Sequence, residues 1–294
     1  MKLVTYNYNG EEAVGLVLKN NSFMTPIKSL GLKYDSMNNL IDNINEKEMQ
    51  ILKDAALKSD VKKISFAEVE IKAPIPVPKQ DMICLGINYA EHAEESARFK
   101  KEAFEKDRKD AVYFSKRINE AVADGDYIDG HFDIVDSLDY ECELAVIIGK
   151  DAKNVKKEDA IDYIFGYTII NDVSARNLQT AHKQWYFGKS LDNFTPMGPW
   201  IVTKDELNFP LELNICSRVN GEIRQNSNTK LMMTTIDEVI EELSQGMTLK
   251  KGTIIATGTP AGVGMGFVPP KFLKSGDVVQ CEIEGIGILK NKIR

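Results

Sequence analysis

Glu141 and Glu143 stand one residue apart at the head of an apolar run, Asp139-Tyr140-Glu141-Cys142-Glu143-Leu144-Ala145-Val146-Ile147-Ile148-Gly149. On a strand, alternate side chains share a face, so the two glutamates point one way and Cys142 and Leu144 the other. Like charges that close repel, and ionising both away from water requires a counter-ion. A hard divalent cation supplies one, and carboxylate oxygens suit Mg²⁺, Mn²⁺ or Ca²⁺. A second apolar run, Gly166-Tyr167-Thr168-Ile169-Ile170-Asn171, ends in Asp172 and continues Val173-Ser174-Ala175-Arg176, a carboxylate where a strand gives way to a turn. Lys189 lies among aromatic and small residues in Tyr186-Phe187-Gly188-Lys189-Ser190, a fixed positive charge if the site is dry.

Two further segments complete the chemistry. In Gly86-Ile87-Asn88-Tyr89-Ala90-Glu91-His92-Ala93-Glu94-Glu95, a helix would put His92 and Glu95 one turn apart on one side. An imidazole paired with a carboxylate can orient and activate a water molecule. In Ala256-Thr257-Gly258-Thr259-Pro260-Ala261-Gly262-Val263-Gly264, glycines admit a ligand close to the backbone and hydroxyls can bind carboxylate oxygens. The spacing and the missing lysine set this loop apart from a nucleotide-binding P-loop. Each segment also has a plain structural reading on its own. The glutamates could face water at a sheet edge, Asp172 could cap a helix, Lys189 could lie on the surface, and His92 and Glu95 could belong to a solvated helix face. His131, in a polar Gly/Asp segment, reads as a loop residue.

The elements that must position these groups are mostly strands. Met82–Gly86, Val112–Ser115, Leu138–Ile148, Phe165–Asn171, Pro199–Val202, Leu211–Val219, Gly252–Thr257, Asp277–Glu284 and Ile286–Ile293 carry β-rich sequence. Helical patterns are fewer: about Ala90–Lys109, Lys156–Tyr163 and Thr235–Ser244. The pattern predicts an α+β protein, mainly β, with a mixed and largely antiparallel sheet system. Before it, Asn9-Gly10 joins two strand-like segments as a hairpin, and Ser36 caps a helix expected to run to about Lys58. Three prolines in Ala73-Pro74-Ile75-Pro76-Val77-Pro78 interrupt both kinds of element. The expected division is a small N-terminal α/β domain, residues 1–77, and a catalytic domain, residues 78–294.

The chain has 294 residues, with 37 Lys and Arg against 44 Asp and Glu, a formal charge of −7. That acidity argues against nucleic acid or an anionic membrane as partner. No apolar run is long enough to span a bilayer, and the first residues read as a strand, not as a leader. The four scattered cysteines suit buried free thiols. The expectation is a cytoplasmic protein.

The motifs G-x-N-Y-x-x-H-x-x-E, E-x-E, N-D-x-S-A-R, G-K-S and T-G-T-P-x-G-V-G, in this order across residues 80 to 294, closely resemble the fumarylacetoacetate hydrolase superfamily. The similarity is greatest to its bacterial and mitochondrial branch, which has a short N-terminal domain. The resemblance implies a mixed β-sandwich roll, usually a homodimer, binding a small-molecule oxo-acid. It implies Mg²⁺ or Mn²⁺ held by Glu141, Glu143 and Asp172, and Lys189 beside the metal. By the same resemblance His92 and Glu95 form a water-activating dyad on a lid, and Gln179 and Thr259 contact the acid. Two departures stand out: the usual S-A-R-D reads Ser174-Ala175-Arg176-Asn177, and the stretch from Gln179 to Trp185, with His182 and Lys183, has no match. The activity it implies is hydrolysis of a carbon–carbon bond in a 2,4-dioxo acid. Oxaloacetate decarboxylation, oxaloacetate keto–enol tautomerisation, sugar-acid dehydration and a non-catalytic metal- or oxo-acid-binding sensor are the alternatives.

Overall fold

The computed structural model describes residues 1–19, 21–58, 60–100 and 110–294. Its centre is an eleven-stranded sheet that runs, edge to edge, through Ile64–Ser65, Phe23–Pro26, Glu11–Val17, Lys2–Tyr8, Met197–Thr203, Ile164–Asn171, Cys142–Ile148, Ile254–Ala256, Met82–Gly86 and Val112–Lys116, with Glu70–Lys72 joined to Lys2–Tyr8. Every pair is antiparallel except Ile254–Ala256 with Met82–Gly86. A second sheet orders Glu222–Asn228, Asn214–Val219, Val278–Ile283, Gly287–Ile293 and Tyr127–Ile128. One apolar cluster joins Leu144, Val146 and Ile169 of the large sheet to Ile215, Val279 and Ile283 of the small one. The mainly β, α+β architecture expected from the sequence is the one observed.

Local chemistry explains most element ends. Asn9 and Gly10 both take positive φ (54° and 86°), the backbone a tight two-residue hairpin requires. Ser36 caps the first helix by accepting from the Asn39 N–H. The helix expected to reach Lys58 is instead two, Met37–Asn43 and Glu46–Leu57. Asn45 starts the second with a reciprocal bond to Glu48, so a local cap outcompetes continuation. The long strand expected from Leu138 to Ile148 is broken likewise: Leu138–Asp139 pairs with Ser174–Ala175, and the regular ladder begins only at Cys142.

The prolines after Ala73 do not separate two independent cores. Lys2–Tyr8 pairs with Met197–Thr203 in the large sheet. A second apolar cluster, on that sheet's other face, packs Leu3, Leu16, Met37 and Leu40 with Ile147, Phe165, Met197 and Ile201. The boundary at 77/78 therefore marks a change of layer over one continuous sheet. Cys142–Ile148 is buried along its whole length because both faces are covered. All four cysteines are free thiols. Among the described residues, no helix is long and apolar enough to cross a membrane.

Candidate active site

The adjacent antiparallel strands Cys142–Ile148 and Ile164–Asn171 bring the acidic groups together at one end. The Asp172 N–H donates to Glu141 O at 2.8 Å, and the Glu141 N–H donates to Asn171 Oδ1 at 3.0 Å, tying the two strand ends. Glu141, Glu143 and Asp172 are 5%, 1% and 0% exposed, which excludes a solvated sheet edge. Each offers an oxygen within 4.8 Å of the others.

Cations occupy most of the surrounding positions. Lys189 Nζ lies 2.7 Å from Glu141 Oε2 and 2.5 Å from Asp172 Oδ2. Lys116 Nζ takes the other Asp172 oxygen at 2.6 Å and donates to Val173 O at 3.0 Å. Arg176 meets Asp139 Oδ2 at 2.9 Å, Glu141 Oε1 at 2.7 Å and Gln179 Oε1 at 3.0 Å. Burial alone would raise the Glu141 carboxyl, but Lys189 and Arg176 overcome it and hold it well below the usual range. Lys189 behaves in the same way: burial disfavours its charge, yet Asp172 and Glu141 pull its pKa up, so it keeps its proton.

Glu143 is the exception. It accepts from the Gly258 N–H at 2.8 Å and has no ion pair among the described residues. Burial, then Asp172 and Glu141, push its carboxyl well above the normal range. The buried cluster thus sets four carboxyls against three cations, and one carboxyl lacks a counter-charge. A hard, all-oxygen donor set with a deficit of positive charge fits a divalent cation, with Glu141, Glu143 and Asp172 holding it.

The loop expected to approach a ligand shapes the other side. Thr259 Oγ1 donates to Cys142 O at 2.9 Å and accepts from Gln225 Nε2 at 2.6 Å, so its hydroxyl is engaged in holding the strand. The Gly262 N–H donates to both Glu95 oxygens at 3.0 Å, from a backbone at φ 101° that favours glycine. Glu95 belongs to the helix Ala90–Lys100; the rest of the expected helix, with Phe104, lies outside the described residues. His92 Nδ1 is 3.6 Å from Glu95 Oε2, beyond hydrogen-bond length, and has no hydrogen-bond partner. The two side chains are neighbours, and the buried Nδ1 of the imidazole is uncommitted.

His92, Ser96, Phe99 and Lys100 roof a cavity of about 20 Å³. Glu141, Glu143, Arg176, Gln179, Lys189 and Thr259 form its polar side. Six of the eight residues singled out from the sequence line this cavity; Asp172 lies beneath, between the two lysines, and Glu95 stands behind His92 on the Gly262 N–H. Arg176 Nη2 is buried without a hydrogen-bond partner, a donor available to an incoming carboxylate. Asn177, where the resemblance leads us to expect an acid, bonds Ser137 and Ile134, and the acidic partners of Arg176 are Asp139 and Glu141. His131 is placed in a loop with φ 47°, its Nε2 2.9 Å from Asp192 O.

Sequence reasoning missed Lys116, Asp139 and Trp185. For Lys116 a signal existed: in Val112–Lys116, period-two alternation puts it on the face of Phe114. Trp185 lines the cavity too, within the stretch that matched nothing.

Comparison with known proteins gives a consistent result. The sequence pattern described as fumarylacetoacetate (FAA) hydrolase C-terminal matches residues 81–294. The chain is 48% identical over 230 residues to the oxaloacetate tautomerase YisK of Bacillus subtilis (strain 168), covering 78% of this chain and 74% of that protein. The structure superposes on a fumarylacetoacetate hydrolase from Exiguobacterium antarcticum with a TM-score of 0.83 at 36% identity, covering 100% of this chain and 99% of the other. It also superposes on a maleylpyruvate hydrolase from Sphingobium sp. SYK-6, solved with manganese(II) and pyruvate, with a TM-score of 0.78 at 28% identity, covering 100% and 98% of the two chains. Matched over most of its length in sequence and over all of it in structure, the chain belongs to the fumarylacetoacetate hydrolase family.

Proposed function

We propose that this protein is a divalent-metal-dependent enzyme that moves a proton at the carbon beside the 2-oxo group of a short 2-oxo acid. Keto–enol tautomerisation of oxaloacetate is the reading its site supports best. The observation that carries it is the small cavity: about 20 Å³ holds little more than a water between the carboxylates and the roof. A short acid displaces that roof least, and tautomerisation brings no second reactant into the space. The 48% identity to an oxaloacetate tautomerase supports the same chemistry.

A divalent ion held by Glu141, Glu143 and Asp172 would draw electron density from the 2-oxo oxygen and so acidify the adjacent C–H. Arg176, through its unpartnered Nη2, binds a carboxylate of the acid. Lys189 keeps its proton and serves as a fixed positive charge toward the enolate. His92 and Glu95 take the proton from carbon and return it to the enolate oxygen, so no proton is lost or gained overall. The helix Ala90–Lys100 carries this pair to the floor and keeps water out.

Hydrolysis of a carbon–carbon bond in a 2,4-dioxo acid is the second reading, favoured by the dyad itself: a carboxylate beside an uncommitted imidazole suits activation of water. The test is to follow oxaloacetate enol decay and acetylpyruvate cleavage with Mg²⁺ or Mn²⁺, for wild type and Glu95→Gln. We expect wild type to accelerate enol decay and Glu95→Gln to lose about 10²–10⁴-fold in rate while still binding oxalate. Wild type that leaves enol decay at its solution rate but cleaves acetylpyruvate would replace the first reading with the second.

A further inference from the structure

One wall of the cavity is used by none of the roles above. Trp185 immediately precedes the one-turn helix Tyr186–Lys189. Its indole presses on Gly86, where a Cβ would come within 2.2 Å of Cζ3 and 2.7 Å of Cη2. Phe114 meets it nearly edge-on, with centroids 5.3 Å apart. Lys189 Nζ sits 5.2 Å from the Phe114 ring, and Lys100 Nζ, in the last described turn of the lid helix, sits 5.0 Å from the indole. Lys189, Phe114, Trp185 and Lys100 therefore form a ladder from the carboxylate floor to the roof, and all four border the cavity with Leu85 and Gly86.

The cavity is divided by chemistry as well as by shape. Its carboxylates, Arg176 and Lys189 lie on the floor and Lys100 on the roof, whereas Leu85, Phe114 and Trp185 make an apolar side between them. The carboxylate and oxo groups of a 2-oxo acid belong with the charges, because burying them against hydrocarbon would leave them unpaired. The hydrocarbon part of the substituent on the remaining carbon then meets the aromatic wall, whose upper end carries Lys100. The geometry points to Trp185 as the residue that limits the length of that substituent. Its ring occupies the space a longer chain would need, and the bare Cα of Gly86 lets the ring close down on the strand Met82–Gly86. This rests on the proposed 2-oxo acid chemistry and narrows its substrate class to acids with short tails.

The test is titration calorimetry of the Mn²⁺-loaded protein with oxalate, pyruvate, 2-oxobutyrate and 2-oxohexanoate, for wild type, Trp185→Ala and Trp185→Phe. Wild type should bind progressively more weakly as the tail lengthens. Trp185→Ala should bind 2-oxohexanoate about tenfold more tightly than wild type does, the scale of a methylene or more admitted to an apolar pocket. Oxalate, which has no tail, should bind all three proteins alike, and Trp185→Phe should keep the wild-type order. A uniform loss at every length in Trp185→Ala would overturn the inference, as would wild type indifferent to tail length. Wild type that binds neither oxalate nor any 2-oxo acid would overturn the proposed function itself, and the gauge with it.

Discussion

Asp172 is gripped from two sides, with Lys116 on one oxygen and Lys189 on the other. Burial lowers the pKa of Lys116 and Asp172 opposes that shift, so the charge of Lys116 depends on Asp172. Lys116→Met should cost the ion-free protein less than about 3–5 kcal/mol, the penalty for a stranded buried charge, because Lys189 still pairs with Asp172. It also removes a positive charge beside the proposed ion, so Mn²⁺ should raise the melting temperature of the variant more than that of wild type. Equal shifts in both would show that Lys116 does not sense the ion. Glu143 makes a second prediction. Burial, with Asp172 and Glu141 nearby, pushes its pKa up, so an arriving cation competes with a proton for its oxygens. Mn²⁺ uptake should therefore release protons, and affinity should increase as pH rises toward that pKa. Calorimetry in buffers of differing ionisation enthalpy reads the proton count directly, and zero release would contradict it. The acidic triad was legible because E-x-E and a strand-terminal Asp are local patterns. Lys116 and Asp139 were not, because their partners lie 56 and 37 residues away and no local spacing encodes them.

The lid is where element and site meet. The only residues of Ala90–Lys100 that are buried are polar, His92 and Ser96. Among the contacts that hold the helix are Arg98 to Gly266 O at 2.9 Å, Phe99 beside Phe272 with centroids 6.3 Å apart, Lys100 over the Trp185 ring, and Glu95 on the Gly262 N–H. Ile87, a β-branched residue at φ 58°, is strained at the base of the lid, and the side chain of the adjacent Asn88 is fastened to Thr234 and Thr257. A helix with so little apolar surface opens at low cost. Its amides should exchange faster than those of Val112–Lys116, and oxalate with Mn²⁺ should slow them selectively. Exchange unaffected by ligand would rule out a lid. Strand positions were readable from the sequence because a sheet covered on both faces writes apolar runs. The one-turn helix Tyr186–Lys189 was not, since it is too short to show a period and depends on packing by Trp185 and Gly188.

At the scale of the whole molecule, the large sheet joins strands of the first 77 residues to the strands that carry the site. Leu3 is fully buried and packs in the cluster that also holds Ile147 and Ile170, on the two strands that carry the carboxylates. Leu3→Ala should cost about 2–5 kcal/mol and move a single unfolding transition, without splitting it. A separate early transition in calorimetry would mean that the N-terminal layer melts on its own. The prolines could not reveal this, because a break in chain direction says nothing about whether strands on either side later join.

The division of the cavity into an interlocked floor and a looser wall also sets where mutation can be tolerated. Glu141, Asp172, Arg176 and Lys189 each pair with two neighbours, so changing any one of them breaks two buried ion pairs at once. Phe114 and Trp185 owe their positions to ring packing and a bare glycine, and can be exchanged singly without unpairing anything. Drift is thereby channelled: a duplicated gene for such a protein would acquire a new substrate by altering its aromatics while inheriting its charges intact, and descendants would diversify in what they admit long before they diverge in what they do to it.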